Sequence, residues 1–170
     1  MKKIVSIAAF IFFAQALWAQ APEISRDAYG TKIIKGFMSR QDLANDTAFT
    51  WFAKNMEGYT PEQNAVTAFK ANKDSVNIIA FGGTWCGDTK NLLPKFYSLM
   101  DASGFPQDRI TLLGVDRSKK TIQHLTEAFG ITNVPTFIIM KNGREIGRVV
   151  EYGKYGMFDK ELGEILTKNK

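Results

Sequence analysis

The chain has 170 residues, 45% of them hydrophobic and 23% charged, with a formal net charge of +5 and a single cysteine. One cysteine rules out a disulfide framework, and with one histidine beside it the usual N and S ligands of a zinc site are lacking. The positive excess forms no dense basic stripe interleaved with aromatics, which argues against nucleic-acid binding, and Lys119-Lys120 and residues 168–170 read as solvated surface.

Lys2 and Lys3 precede an apolar run over residues 4–13, and Ala14, Ala16 and Ala19 follow it. This is the pattern of a secretory signal peptide cleaved after Ala19, and the run is short for a transmembrane span. The segment 1–19 predicts a periplasmic or secreted protein with no stable membrane span after cleavage. Losing Lys2 and Lys3 lowers the charge from +5 to +3, and the roughly 150 residues left suffice for one domain with its own core.

Residues 20–75 read as a helical lead-in. Within it, 21–37 is extended or irregular, and 39–55 and 60–72 are helices. The second helix has the clearer start, with Thr60 as N-cap, Pro61 in the first position and Gln63 completing a capping box. In the first, Leu43, Phe49, Trp51, Phe52 and Met56 form a broad apolar face suited to a core.

From Val76 onward the pattern alternates between strand and helix, the signature of an α/β unit over 76–170. Strands are expected at 76–81, 110–115, 136–140 and 145–150, and helices at 90–102, 118–129 and 158–167. Asn142-Gly143 tolerates positive φ and predicts a tight hairpin, so the last two strands pair antiparallel. The first two need a crossover helix and pair parallel. Gly130 stands where a helix C-terminus wants it, and Tyr152, Gly153, Tyr155 and Gly156 read as a mobile connection.

Cys86 lies in Gly82-Gly83-Thr84-Trp85-Cys86-Gly87-Asp88-Thr89-Lys90, between the first of these strands and the helix after it. A thiol at a helix N-terminus meets partial positive charge, which favours the thiolate, while Asp88 opposes it. The position of a second cysteine in a Cys-x-x-Cys pair holds Thr89, so the site cannot close its own disulfide. Three residues along a helix is the same face, which lets the Thr89 hydroxyl approach the sulfur. Gly82-Gly83 lacks the spacing of a phosphate loop and reads as a backbone turn. Asp116 starts a turn with Arg117 solvated, and His124 is exposed or satisfied.

The order strand, thiol turn, helix, strand, helix, Val134-Pro135-Thr136, hairpin and final helix resembles the thioredoxin superfamily. That implies a thioredoxin-like α/β fold, a central mixed sheet flanked by helices, with an N-terminal helical extension. The most specific pieces are Trp85-Cys86-Gly87 and Val134-Pro135-Thr136. The resemblance implies that Pro135 is cis and lies near Cys86. Three positions depart from the pattern. Thr89 replaces the resolving cysteine, Ala80 stands where the family has a buried acid, and Leu112 where it commonly has a lysine.

These observations predict an exported thiol-disulfide oxidoreductase with Cys86 and Thr89 as catalytic residues and Trp85, Gly87, Val134 and Pro135 as the substrate-binding set. The thiol would form a mixed disulfide with a disulfide-containing protein or small thiol, released by an external resolving thiol or reductant. An extended substrate segment would pair with the Val134 backbone. No cofactor and no metal are expected. The alternatives are a thioredoxin-fold binding or scaffold protein and, with less support, a one-cysteine peroxidase, which wants an arginine at Cys86.

Overall fold

The computed structural model describes residues 21–169, so the expected signal peptide lies outside the described residues. Over 21–37, expected as extended or irregular, the lead-in takes the extended form, as strands. β1 (Glu23–Arg26) and β2 (Lys32–Met38) form a hairpin with Ile24 opposite Ile34. Asp27 organises its turn by accepting the N–H groups of Tyr29 and Thr31, each at 2.9 Å.

Residues 39–55 break into α1 (Arg40–Ala44), a 3-10 turn (Thr47–Phe49) and α2 (Trp51–Lys54). Asp46 interrupts the helix, because its carboxylate accepts from the Ala48 N–H and from Lys32 Nζ. The next helix, α3 (Gln63–Asn72), starts later than its sequence signature suggests. Glu62, not Thr60, is the N-cap, accepting from Ala65 N–H at 2.8 Å. Asp159 sets this boundary by accepting both the Glu62 N–H, at 2.9 Å, and the Tyr59 hydroxyl. Burial and that carboxylate push the Tyr59 hydroxyl far above its ordinary pKa, so it remains a donor.

The remaining elements are β3 (Val76–Gly82), α4 (Gly87–Ser103), β4 (Ile110–Gly114), α5 (Leu125–Ala128), β5 (Thr136–Lys141), β6 (Arg144–Val150) and α6 (Phe158–Lys168). One six-stranded sheet results, in the order β1-β2-β4-β3-β5-β6. As the connections require, β3 and β4 are parallel, and β5 and β6 form a hairpin turning at Asn142 and Gly143 with φ of 52° and 75°. β2 joins the far side of β4, antiparallel, with Gly36 opposite Gly114. A side chain at Gly114 would put its Cβ 2.1 Å from the Ile34 carbonyl oxygen, so this approach requires glycine.

The helix expected over 118–129 shrinks to α5 and a preceding 3-10 turn (Ile122–His124). Asp116 Oδ1 accepts from the N–H groups of Ser118 and Lys120, folding this stretch into a turn. Lys119, Gln123 and His124 all take positive φ. Gly130, with φ of 61°, ends α5 as its position suggests.

Successive strand residues feed two separate cores, following the period of 2 of a strand. Val76, Ile78, Ala80, Leu112, Phe137, Ile139 and Val149 pack with α3, α4, α6 and the lead-in helices. Phe81, Leu113 and Ile138 face a smaller cluster with Val115, Ile131 and Val134. Pro94 lies inside α4 and has no N–H for the Lys90 carbonyl. Asn55 supplies the missing donor from the end of α2, Nδ2 to Lys90 O at 2.8 Å. Among the described residues no helix is long and apolar enough to cross a membrane.

Candidate active site

Cys86 is the N-cap of α4, as its place between strand and helix predicts, and its side chain is half-buried. The Cys86 N–H donates to Gly83 O at 2.8 Å, and Lys90 N–H returns to Cys86 O at 3.0 Å. The thiol therefore stands at the positive end of a 17-residue helix. Its S–H donates to the carbonyl of Val134 at 3.2 Å. The Val134–Pro135 peptide is cis, and the structure brings this pair against the thiol as the resemblance implies. Gly87 is exposed, and a Cβ placed on it would meet nothing within 4 Å, so the surface beside the sulfur is open.

Thr89 shares the helix with Cys86 but is 0% exposed, and its Oγ1 accepts from Gly83 N–H at 3.1 Å. The expected approach of this hydroxyl to the sulfur gives way to a bond with the end of β3. Gly82 and Gly83 make the close packing possible. A Cβ on Gly82 would lie 3.0 Å from Thr89 Cγ2, and one on Gly83 would lie 2.8 Å from Trp85 Cε2. The backbone does turn here, closed by the Cys86 N–H to Gly83 O bond, but neither glycine has positive φ, so what the pair adds is room for side-chain packing.

Trp85 donates from Nε1 to Val115 O at 3.0 Å, and the Arg117 guanidinium lies over its ring at 5.3 Å. Arg117 is exposed, as expected, but it is also paired. Its Nε and Nη2 reach the Oδ2 of Asp27 at 2.7 and 2.6 Å, and it also lies 5.5 Å from the Tyr29 ring. Burial opposes the Asp27 charge, but the Arg117 hydrogen bond and the Thr31 and Tyr29 N–H groups hold its carboxyl below the usual range. Asp116 starts its turn as expected and pairs with Lys35 at 3.2 Å.

Ala80 and Leu112 are register partners on β3 and β4 and are 0% and 3% exposed. The two positions where the resemblance calls for an acid and a lysine thus form one apolar contact, with no titratable group in either place. On the other flank, Glu151 N–H donates to Pro135 O at 2.7 Å, and Asn91 Nδ2 donates to the Tyr152 hydroxyl at 3.0 Å. The connection read as mobile is pinned there and at Lys154, whose N–H bonds the Glu161 carboxylate. The His124 side chain is 91% exposed, in keeping with its bland reading. No group of three or more His, Cys, Asp and Glu able to hold a metal occurs among the described residues.

Sequence reasoning missed Thr84, Asp27 and Asn91 as parts of this neighbourhood. Thr84, 1% exposed, sits two residues before the thiol with its hydroxyl bonded to the β2 backbone. A hydroxyl among the glycines and aromatics of the motif was the available signal. Asp27 had only a turn signature, and nothing in the sequence ties it to Arg117.

The Thioredoxin family model matches residues 61–162. A thioredoxin of Echinococcus granulosus is 33% identical over 84 residues, which is 49% of this chain and 73% of that protein. A thioredoxin of Chlamydia muridarum is 32% identical over 94 residues, 55% of this chain and 81% of that one. Among solved structures, a Pseudomonas aeruginosa protein of unknown function superposes with a TM-score of 0.54 at 13% identity, covering 77% of this chain and 90% of the other. That likeness extends the fold beyond the family match and speaks to fold alone.

Proposed function

The chain belongs to the thioredoxin family of oxidoreductases, and from that premise we propose that it exchanges disulfides through Cys86 alone. The carrying observation is the half-buried thiol at the start of α4, bonded to Val134 O beside a cis proline and next to the open surface at Gly87. An extended substrate segment laid along Val134 would take over that carbonyl with its own N–H and free the sulfur. Cys86 gives up its proton to solvent, and the thiolate attacks one sulfur of the substrate disulfide. A Cys86–substrate bond forms, the substrate's S–S bond breaks, and the leaving thiolate takes a proton from solvent.

Thr89 offers no second sulfur. Resolution falls to a thiol of another molecule or to the substrate's own second cysteine, which attacks the substrate sulfur and releases Cys86. Trp85, Gly87, Val134 and Pro135 form the docking surface, and Thr89 acts by holding Gly83. The apolar Ala80–Leu112 contact leaves proton exchange to solvent. Those same replacements favour the second reading, a binding protein that keeps the fold without the turnover. Arg117 is engaged by Asp27, which gives the peroxidase reading no added support.

Turnover of a disulfide reporter by the wild type and by Cys86→Ser separates the readings. The variant is expected at background and the wild type well above it; equal rates in both would eliminate the enzyme. Export is part of the proposal, and intact-mass measurement of the exported protein should find a chain lacking its first 19 residues. A full-length exported chain would remove that part.

A further inference from the structure

We infer that the N-terminal hairpin is a clasp that positions the reactive-thiol loop, with Thr84, Asp27 and Arg117 as its positioning residues. The hairpin lies outside residues 61–162 that match the family model, so it is an addition to the part this chain shares with the family. The inference rests on the reading of Cys86 as the reacting thiol.

The first tie is direct. β2 pairs with β4 only from Gly36 to Met38, so its earlier residues overhang the C-terminal end of β4, where the site is built. In that overhang the Thr84 hydroxyl donates to Lys32 O at 2.9 Å and accepts from Ile34 N–H at 3.4 Å. Both functions of a buried hydroxyl are thus spent on the hairpin. The overhanging strand in turn has polar backbone groups satisfied only because Thr84 is there.

The second tie runs through Arg117. Asp27, in the hairpin turn, binds the guanidinium with Oδ2 while its Oδ1 organises the turn itself. Held there, Arg117 lies between the rings of Tyr29 and Trp85. The hairpin therefore fixes both residues that precede Cys86, Thr84 by its hydroxyl and Trp85 by its face. Gly83 and Gly87, on either side of this three-residue stretch, supply no side chain of their own to hold it. A site held loosely by even an ångström loses rate, because the attacking sulfur must align with the bond it breaks.

The test compares Thr84→Val, Thr84→Ser and Asp27→Asn in the full chain labelled with 5-fluorotryptophan. Three measurements are made: the rate of Cys86 alkylation by iodoacetamide against pH, kcat and KM on a disulfide reporter, and the fluorine resonance of Trp85, identified by its loss in Trp85→Phe. Thr84→Val keeps the shape and loses both bonds. It should lower kcat about fivefold or more with little change in KM, alter the alkylation profile and shift the Trp85 resonance. Thr84→Ser should restore all three. Asp27→Asn keeps the turn acceptor and loses the charge, and should shift the Trp85 resonance with a two- to threefold loss of kcat.

Wild-type kinetics, alkylation and resonance in folded Thr84→Val and Asp27→Asn would overturn the clasp. If Thr84→Val does not fold, Asp27→Asn decides by the same readouts. If the wild type itself turns over no disulfide, the functional reading fails, and alkylation and the Trp85 resonance still decide the clasp on their own.

Discussion

The two faces of the sheet are built on different principles. One is thick: α3, α4, α6 and the lead-in helices close over it, and Phe137 stacks on Phe96 at 4.7 Å with Phe158 at 5.7 Å. The other is thin. Its apolar cluster holds six buried residues, with Trp85 and Cys86 packed partly against it. What covers this face is largely irregular chain tied down by polar groups: Asp116 on Ser118 and Lys120, Thr121 on Gly114 O, Lys119 on Asn133, Arg148 on Phe129 O. Apolar burial stabilises without direction, whereas hydrogen bonds fix orientation. The thick face holds the fold together, and the thin face holds the thiol in place.

The same substitution on both faces would sharpen or break this comparison. Phe137→Ala should cost about 5 kcal/mol in denaturant unfolding, because packed helices cannot collapse into the space. Phe81→Ala, equally buried but covered by a thinner layer, should cost about 3 kcal/mol and change the Cys86 alkylation rate of the folded protein. Equal costs with no change in alkylation would mean the faces differ in thickness only.

A smaller effect tests the lead-in on the thick side. Asn55→Ala leaves the Lys90 carbonyl without its donor and should cost about 1 kcal/mol. In a Pro94→Ala background, where residue 94 regains an N–H for that carbonyl, the cost should fall, and a double-mutant cycle reads the coupling. Additive effects would show that Asn55 does not substitute for the missing amide.

The smallest effect concerns the thin side and pH. Asp27 has its carboxyl held below the ordinary value of 3.8, so the folded protein binds this proton less readily than the unfolded chain does. Its contribution is therefore in full force above 3.8 and is lost as pH falls through the lower folded value. The Trp85 fluorine resonance should stay constant from neutral pH down to about 4 and move only below it. Movement between pH 5 and 6 would assign the tie to another group.

The sequence carried the thioredoxin-like part well apart from the helix over 118–129, because its strands and the helices after β3 and β6 obey local rules. Asn142-Gly143 turned the hairpin, Gly130 ended a helix, and Cys86 stood at a strand-to-helix turn. It carried the site less completely. Thr89 faces Gly83 because two glycines draw β3 against α4, a tertiary fact that helical spacing cannot contain. The errors cluster where a carboxylate overrides the helical pattern: Asp159, from far along the chain, moves the start of α3 to Glu62, while Asp46 and Asp116, by bonding N–H groups two to four residues on, split the first lead-in helix and unwind the stretch after β4. The hairpin of β1 and β2 was illegible for a related reason, since β2 is completed partly by a threonine far along the chain.

That threonine also sets a clock. The bond from Thr84 to Lys32 joins residues 52 apart in sequence, and closing so long a loop costs chain entropy before any contact is returned. Contacts of this span form late in a folding reaction, after the helices and the β5–β6 hairpin, whose contacts are local. The thiol loop thus reaches its final geometry only when distant parts of the chain have met, as the β2–β4 pairing and the Tyr59–Asp159 bond also require. Until that loop closes, Cys86 is an ordinary exposed thiol without the clasp that positions it.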